Sequence, residues 1–269
     1  ENDMLEMSKH FKEVLEDKQS QIVRLTKVLC TAYGLVRICD DNMDSLFQSA
    51  KDILSENGVF IFEVPYLMDL IQNTAFDTIY HEHVHYYGVR PLVEFLKKHG
   101  FSIFKIEKID YMCGSIRVFS SCKKPQSSFI SQMIEIENEF GLYDIQTYQK
   151  FSLRVKRMKI SINSYLWEVR NKGGKIIGIG AATKGNTLLN YCKLDSDVIS
   201  FITDTSLLKI GKLTPGSHIK ILSDEDIDDS ITHALILPWN ISNLLQKKLS
   251  QFNLTFYTPQ VQGVEDSIK

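Results

Sequence analysis

The sequence predicts an α/β protein in which two strand–helix regions are joined by a long helical connection. Short β-branched and aromatic runs alternate with amphipathic stretches over residues 30–125, and the alternation returns over residues 173–269. Between them, residues 126–172 contain one glycine, and their apolar residues recur at intervals of three and four. That spacing is typical of helices with one face turned to a core.

The first region is preceded by residues 1–29, whose spacing predicts an amphipathic helical lead-in. Pro65 ends a strand, because proline cannot donate to a strand ladder. Pro91 and Gly100 bracket a helix, since proline favours the first helical turn and glycine the helix terminus. The elements predicted here are a helix at 43–54, a strand at 59–64, a helix at 90–99, and strands at 101–108 and 115–120.

The second region is predicted to form a parallel sheet with covering helices, because its strands and helices alternate one by one. Its strands are predicted at 175–180, 198–203, 234–237 and 254–257, and its helices near 185–192, 224–228 and 241–252.

Composition narrows the classes of partner. The net charge of −2 gives no reason to expect nucleic acid, and the longest apolar runs are too short to span a bilayer. The chain opens on acidic and polar residues rather than on a secretory leader. Its five cysteines form no C-x-x-C pair, which indicates reduced thiols. We therefore expect a cytoplasmic protein with neither a membrane nor a nucleic-acid partner.

Three of the seven histidines lie within residues 80–88, which read YHEHVHYYG. His81, Glu82 and His85 satisfy the H-E-x-x-H pattern of zinc hydrolases, in which a helix places two imidazoles on one face. The flanks are β-branched and aromatic, and Gly88 follows His85 by three residues, so the helix that this pattern needs is poorly supported. A purely structural role for the histidines is a further alternative.

The same segment also suits acid–base chemistry if it is an extended loop with a bend. A histidine oriented by the neighbouring Glu82 can abstract a proton near neutral pH. A tyrosine can donate to an oxygen on which negative charge develops. The combination fits proton removal next to a carbonyl, although spacing alone does not distinguish this from other base-catalysed reactions.

A glycine-rich turn over residues 177–186 lies where a strand enters a helix. Glycines there let the backbone approach a phosphate, and the free amides of the helix favour an anion. Lys184 precedes Gly185, which is the reverse of the P-loop order. Asp204 follows the next strand, roughly where NAD-binding proteins place a ribose-binding acid. NAD binding, a purely structural turn and binding of another nucleotide diphosphate all stay open at this point.

Taken together, five collinear motifs resemble the sugar C-methyltransferase family, of the nucleotide-ketosugar 3-C-methyltransferase type. They lie at residues 62–67 (FEVPYL), 76–83 (FDTIYHEH), 114–118 (GSIRV), 178–191 and 237–240 (LPWN). The resemblance covers about residues 43–260. It implies transfer of a methyl group from S-adenosylmethionine to a carbon next to the ketone of a nucleotide-linked deoxysugar.

The resemblance also implies a layout and a site. Residues 30–125 correspond to a partial Rossmann-like methyltransferase domain, 126–172 to the helical connection, and 173–269 to a Rossmann-like C-terminal domain. Tyr80, Glu82 and His83 fall on the family's Tyr-x-Glu-His run, in which the histidine is the base. Gly180, Lys184 and Asn186 are expected to contact the nucleotide sugar.

Two family features are not found in the sequence: paired cysteines of an opening zinc domain, and a glycine-rich loop for S-adenosylmethionine, since Gly34 alone precedes Gly58. We therefore expect an N-terminally truncated form with an incomplete cofactor pocket. A non-catalytic nucleotide-sugar-binding module is the alternative of a different class.

Overall fold

A computed structural model describes residues 36–37, 42–109 and 113–259 and confirms the α/β class. The lead-in predicted over residues 1–29 lies outside the described residues. The chain forms two compact units. The first contains the described residues of Glu1–Leu70 together with Glu82–Asp144, and the second contains Ile71–His81 together with the described residues of Ile145–Lys269.

The first unit is built on a four-stranded sheet with the order β1-β2-β4-β3. Strands β1 and β2 are parallel, and the other neighbours are antiparallel. The predicted helix at 43–54, strand at 59–64, helix at 90–99 and strand pair at 101–120 are all present. The elements are β1 (Val36–Arg37), α1 (Met43–Ile53), β2 (Phe60–Pro65), α2 (Leu67–Gln72), α3 (Val89–Lys98), β3 (Ser102–Ile109), β4 (Ser115–Ser121) and α4 (Ser128–Glu139).

An aromatic cluster around Phe47 forms the core of this unit. The Phe47 side chain is fully buried, and its ring meets the rings of Phe60 and Phe62 edge-on at 5.3 and 5.4 Å. Phe101 contributes a third edge-on contact at 5.8 Å. Edge-to-face pairs of this kind add to the free energy gained from burying their area. The alternation of aromatic residues in β2 therefore fixes which face of the sheet carries α1.

A buried carboxylate fixes the start of α3, just after the histidine-rich segment. Glu137 of α4 accepts hydrogen bonds from the backbone amides of Val89 at 2.5 Å and Arg90 at 3.1 Å. Tyr143 donates its hydroxyl to the same carboxylate at 2.5 Å. Because Gly88 offers no side-chain cap, Glu137 takes the place of a capping residue at the positive end of the helix.

Replacing Glu137 with Gln should lower the free energy of unfolding by about 1–3 kcal/mol, since the amide loses the charge and one of the two acceptor oxygens. Urea denaturation measures the change. The matched control is Glu135→Gln on the exposed face of the same helix, which should leave stability within about 0.5 kcal/mol of the parent. Equal effects of the two variants would contradict the capping role.

The second unit contains a five-stranded sheet with the order β7-β6-β5-β8-β9, in which all neighbours are parallel. Apolar clusters cover both faces of the sheet. The elements are α5 (Ile145–Asn171), β5 (Ile176–Ile179), α6 (Thr183–Cys192), β6 (Ile202–Thr203), β7 (Ile221–Leu222), β8 (His233–Ile236), α7 (Ser242–Lys248), β9 (Thr255–Tyr257) and 3₁₀ turns at Phe76–Thr78, Asp224–Asp226 and Trp239–Ile241.

Helix α5 buries the predicted apolar stripe, which includes Val155, Ile162 and Leu166. No helix in the described part of the chain is long and apolar enough to cross a membrane. The cysteines at positions 113, 122 and 192 are free thiols.

Four details of the second region were predicted wrongly. Strand β7 was not predicted, because two residues are too few to show a period. The strand predicted at 198–203 is confined to Ile202–Thr203, since Val198 and Ile199 are buried in and just after a turn. The helix predicted at 241–252 ends at Lys248, and the helix predicted at 224–228 is a 3₁₀ turn at Asp224–Asp226. The strand at 198–203 was predicted too long because an apolar run alone does not distinguish a buried turn from a buried strand.

Candidate functional site

The loops that follow β5 and β8 lie where the strand order of the parallel sheet reverses. The chain leaves β5 for β6 on one side and later forms β8 on the other side of β5. Ligands of open α/β sheets bind in the crevice outside such a switch point. Residues 180–182 follow β5, and residues 237–240 follow β8. This edge of the sheet is therefore the candidate substrate site.

Gly180 allows the two loops to approach each other. Its φ is +82°, and a Cβ at this position would come within 2.8 Å of the Pro238 ring. Glycine is the residue that tolerates both constraints. The chain then enters α6 after Ala182, whose side chain cannot cap the first amides of the helix. These amides and the positive end of the helix favour an anionic ligand.

The first turn of α6 carries the other two residues predicted to bind substrate, Lys184 and Asn186. Asn186 is half-buried, and its backbone carbonyl accepts a bond from the Asn190 side chain at 2.8 Å. Gly185 brings this turn close to β8, because a Cβ there would lie 2.9 Å from the Cβ of Leu237. The structure thus brings Gly180, Lys184 and Asn186 to one edge of the sheet.

Asp204 supports the turn from the end of β6. Its carboxylate accepts bonds from the backbone amides of Ala181 and Ser206, and it pairs with Lys209 at 3.0 Å. Burial raises the pKa of Asp204, but the bonds from Ser206 and Lys209 outweigh it and hold that pKa below its usual value. Both carboxylate oxygens therefore serve internal bonds, which disfavours the ribose-binding role considered for an NAD site.

A buried ion pair lies beside this turn. The Nζ atom of Lys184 is 3.6 Å from Oδ2 of Asp77, and the two side chains are 4% and 1% exposed. Trp239 donates from Nε1 to the same Oδ2 at 2.8 Å. Lys184 also donates to Oδ1 of Asn240 at 3.0 Å, and its ammonium lies 4.1 Å from the centroid of the Trp239 ring. We call Asp77, Lys184 and Trp239 the switch-point cluster.

The charge of Asp77 is only partly compensated. Oδ1 is buried and has no hydrogen-bond partner, while Oδ2 takes the bond from Trp239. Burial raises the pKa of the Asp77 carboxyl, whereas the charge of Lys184 and the bond from Trp239 act to lower it. Removing one partner of such a pair typically costs about 3–5 kcal/mol, because the other charge stays buried.

The predicted catalytic residues follow Asp77 directly in the chain. Residues 74–78 are buried, whereas Tyr80 and His83 are half-buried and Glu82 is exposed. A turn at residues 81–82 supplies the bend on which the acid–base interpretation depends. Tyr80 belongs to the second unit, and Glu82 and His83 belong to the first.

The same backbone argues against the zinc pattern. His81 lies in the turn and His85 in irregular chain, so the two imidazoles do not share the face of a helix. Among the described residues, no group of three or more His, Cys, Asp or Glu side chains is placed to hold a metal ion.

The described residues of the first unit do not fit S-adenosylmethionine. Strand β2 enters α2 through Tyr66, and β4 reaches α4 through a segment without glycine, so neither junction offers a glycine loop before a helix. Such a loop is what lets a backbone approach a nucleoside cofactor closely in a Rossmann-like domain.

An open parallel sheet, covered on both faces and carrying an uncapped helix at its switch point, defines a doubly wound α/β protein. The family described as the C-methyltransferase C-terminal domain matches residues 110–255. The C-methyltransferase NovU of Streptomyces niveus is 32% identical over 224 residues, which are 79% of this chain and 53% of NovU. The chain thus spans about half the length of this curated relative, and it belongs to the C-methyltransferase family.

Sequence reasoning missed the switch-point cluster. Asp77 and Trp239 lie 162 positions apart, and in the sequence each is only one residue of a family motif. The usable signal was an acid in the run of residues 75–79 (AFDTI), whose other members are apolar apart from Thr78, because a charge predicted to be buried requires a partner.

Substituting Gly180 with Ala should destabilise the second unit, because the methyl group meets Pro238 and the positive φ is strained. Gly211→Ala is the matched control, since its φ is also +82° but nothing lies within 4 Å. We expect a loss of about 1 kcal/mol for the control and a clearly larger loss at Gly180. Thermal unfolding measures the loss of stability in both variants, and identical losses would contradict the close approach of Gly180 to Pro238.

Proposed function

We propose that the chain is part of a C-methyltransferase that methylates a carbon next to the ketone of a nucleotide-linked deoxysugar, with S-adenosylmethionine as the methyl donor. Family membership supports the reaction type. The proposed substrate class rests on one observation. The start of α6, which favours an anion, lies at the switch point of a parallel sheet and in the same unit as Tyr80. A nucleotide diphosphate suits that position.

Each proposed residue has a role in this reaction. His83 removes the proton from the carbon beside the ketone, and Glu82 orients its ring. Tyr80 donates to the ketone oxygen, on which the negative charge develops. Proton loss leaves an enolate, and its carbon is the nucleophile. These roles come from the family resemblance together with the half-buried setting of Tyr80 and His83.

The nucleotide part is assigned to the second unit. Gly180 allows the backbone to approach the diphosphate, and Asn186 offers a side-chain amide from the first turn of α6. Lys184 contributes its ammonium from a position that is 4% exposed. An ammonium has three donors, and Asn240 accepts from one of them at 3.0 Å.

A non-catalytic nucleotide-sugar-binding module is the second candidate. It is favoured by one observation, namely that the described residues provide no glycine loop for S-adenosylmethionine. Calorimetry separates the two functions. Binding of both S-adenosylmethionine and a nucleotide ketosugar supports the enzyme, whereas binding of the sugar alone at millimolar cofactor supports the module.

The role of His83 can be tested without the cofactor. His83→Asn should abolish exchange of solvent deuterium into the carbon beside the ketone of a nucleotide-linked ketodeoxysugar, because the base is lost. Nucleoside diphosphate affinity should stay within about threefold, since His83 is not assigned to the nucleotide. Mass spectrometry of the sugar and calorimetry provide the two readouts.

His85→Asn is the matched control, because it removes an exposed imidazole from the same segment. This variant should exchange at the parent rate. Undiminished exchange in His83→Asn would remove His83 from the mechanism, and loss of exchange in both variants would show that the segment is sensitive to any substitution.

A further inference from the structure

We propose that the switch-point cluster is a positioning device for catalysis: Asp77, held by Lys184 and Trp239, fixes the start of the catalytic segment to the edge of the sheet that binds the nucleotide. Tyr80 is then held at a set distance from the bound sugar. This inference rests on the proposed function. It assigns roles to Asp77 and Trp239, which no family resemblance supplied.

Asp77 and Tyr80 are tied together by their closeness in the chain. Asp77 precedes Tyr80 by three residues, so the Cα atoms of the two lie within roughly 11 Å of each other whatever the backbone does. Lys184, the partner of Asp77, belongs to the first turn of α6, where the diphosphate is expected. A single ion pair therefore links the nucleotide end of the site to the residue that faces the ketone.

Burial of the charges of Asp77 and Lys184 costs free energy. A buried ion pair gives little net stability, because desolvation of the two charges offsets their attraction, and apolar side chains of similar volume often serve a core as well or better. The orphaned Oδ1 of Asp77 adds to that cost. Packing alone therefore does not account for an acid at this position. The ion pair of Asp77 and Lys184, in contrast, is directional and holds the two side chains in one relative orientation.

Contacts other than the ion pair also attach the segment to the second unit. Phe76 is buried in the second unit, and its ring lies 4.9 Å from that of Tyr191. Arg154 donates to the carbonyl of Ile71 at 2.6 Å and to Oγ1 of Thr74 at 3.1 Å. Loss of one cluster bond should therefore shift the segment without releasing it, which makes the role separable from folding.

Trp239→Phe provides the cleanest test, because it removes the donor to Asp77 while keeping an aromatic ring beside Lys184. The maximal rate of deuterium exchange into the ketosugar should fall about 10- to 100-fold, as expected for a displacement near 1 Å. Affinity for thymidine, uridine or guanosine diphosphate, whichever the parent binds, should change less than threefold. Trp167→Phe, at the exposed tryptophan of α5, is the matched control and should leave both quantities unchanged.

Two further measurements keep the test decisive. Amide exchange over residues 76–81 should speed up at least tenfold in Trp239→Phe and not in Trp167→Phe, and this readout needs no substrate. Asp77→Asn combined with Lys184→Met should restore the thermal stability lost by either change alone. It should not restore the rate of deuterium exchange into the ketosugar.

The outcomes are distinct. An unchanged exchange rate and unchanged amide protection in Trp239→Phe would overturn the positioning role. If Trp239→Phe lowers the diphosphate affinity and the rate of deuterium exchange into the ketosugar by the same factor, Trp239 belongs to the nucleotide site instead. If the parent neither binds a diphosphate nor exchanges the sugar proton, the proposed function fails, and the amide-exchange comparison still decides whether the cluster fixes the segment.

Discussion

The proposed site depends on the buried pair of Asp77 and Lys184, which fixes the segment Ile71–His81 at the edge of the parallel sheet. The pair brings residues that are distant in sequence to the carboxyl edge of the parallel sheet, and Trp239 closes the arrangement from the loop after β8. Because of this pair and the packing of Phe76, residues Ile71–His81 belong to the second unit although the chain around them builds the first. The chain therefore passes from one unit to the other within the segment that carries the proposed acid–base residues.

A second buried carboxylate acts at the other end of that segment. Glu137 holds the first amides of α3, and Tyr143 donates to the same group. The segment between the two anchors has irregular backbone and carries half-buried and exposed side chains. Short irregular segments held at both ends by rigid elements are common carriers of function, because the scaffold limits their freedom while leaving their side chains accessible.

Much of the fold could be predicted from local sequence patterns, whereas the switch-point cluster could not. Periodicity placed the apolar stripe of α5, and Pro91 and Gly100 marked the two ends of α3. Strand β7 has too few residues to show a period. Asp77 and Trp239 meet only through the tertiary fold, and no local rule predicts that a particular acid is buried next to a particular lysine. The motifs identified Tyr80, Glu82 and His83 as candidates, while the structure adds what fixes the start of their segment.

The central claim is that Ile71–His81 is an integral part of the parallel-sheet unit, and native-state amide hydrogen exchange tests it most directly. At increasing denaturant, the protected amides of residues 74–79 should exchange with the same opening free energy as those of β5 and α6, because they open only with that unit. Exchange of these amides at the free energy of the first-unit sheet, or without protection in the native state, would contradict the account.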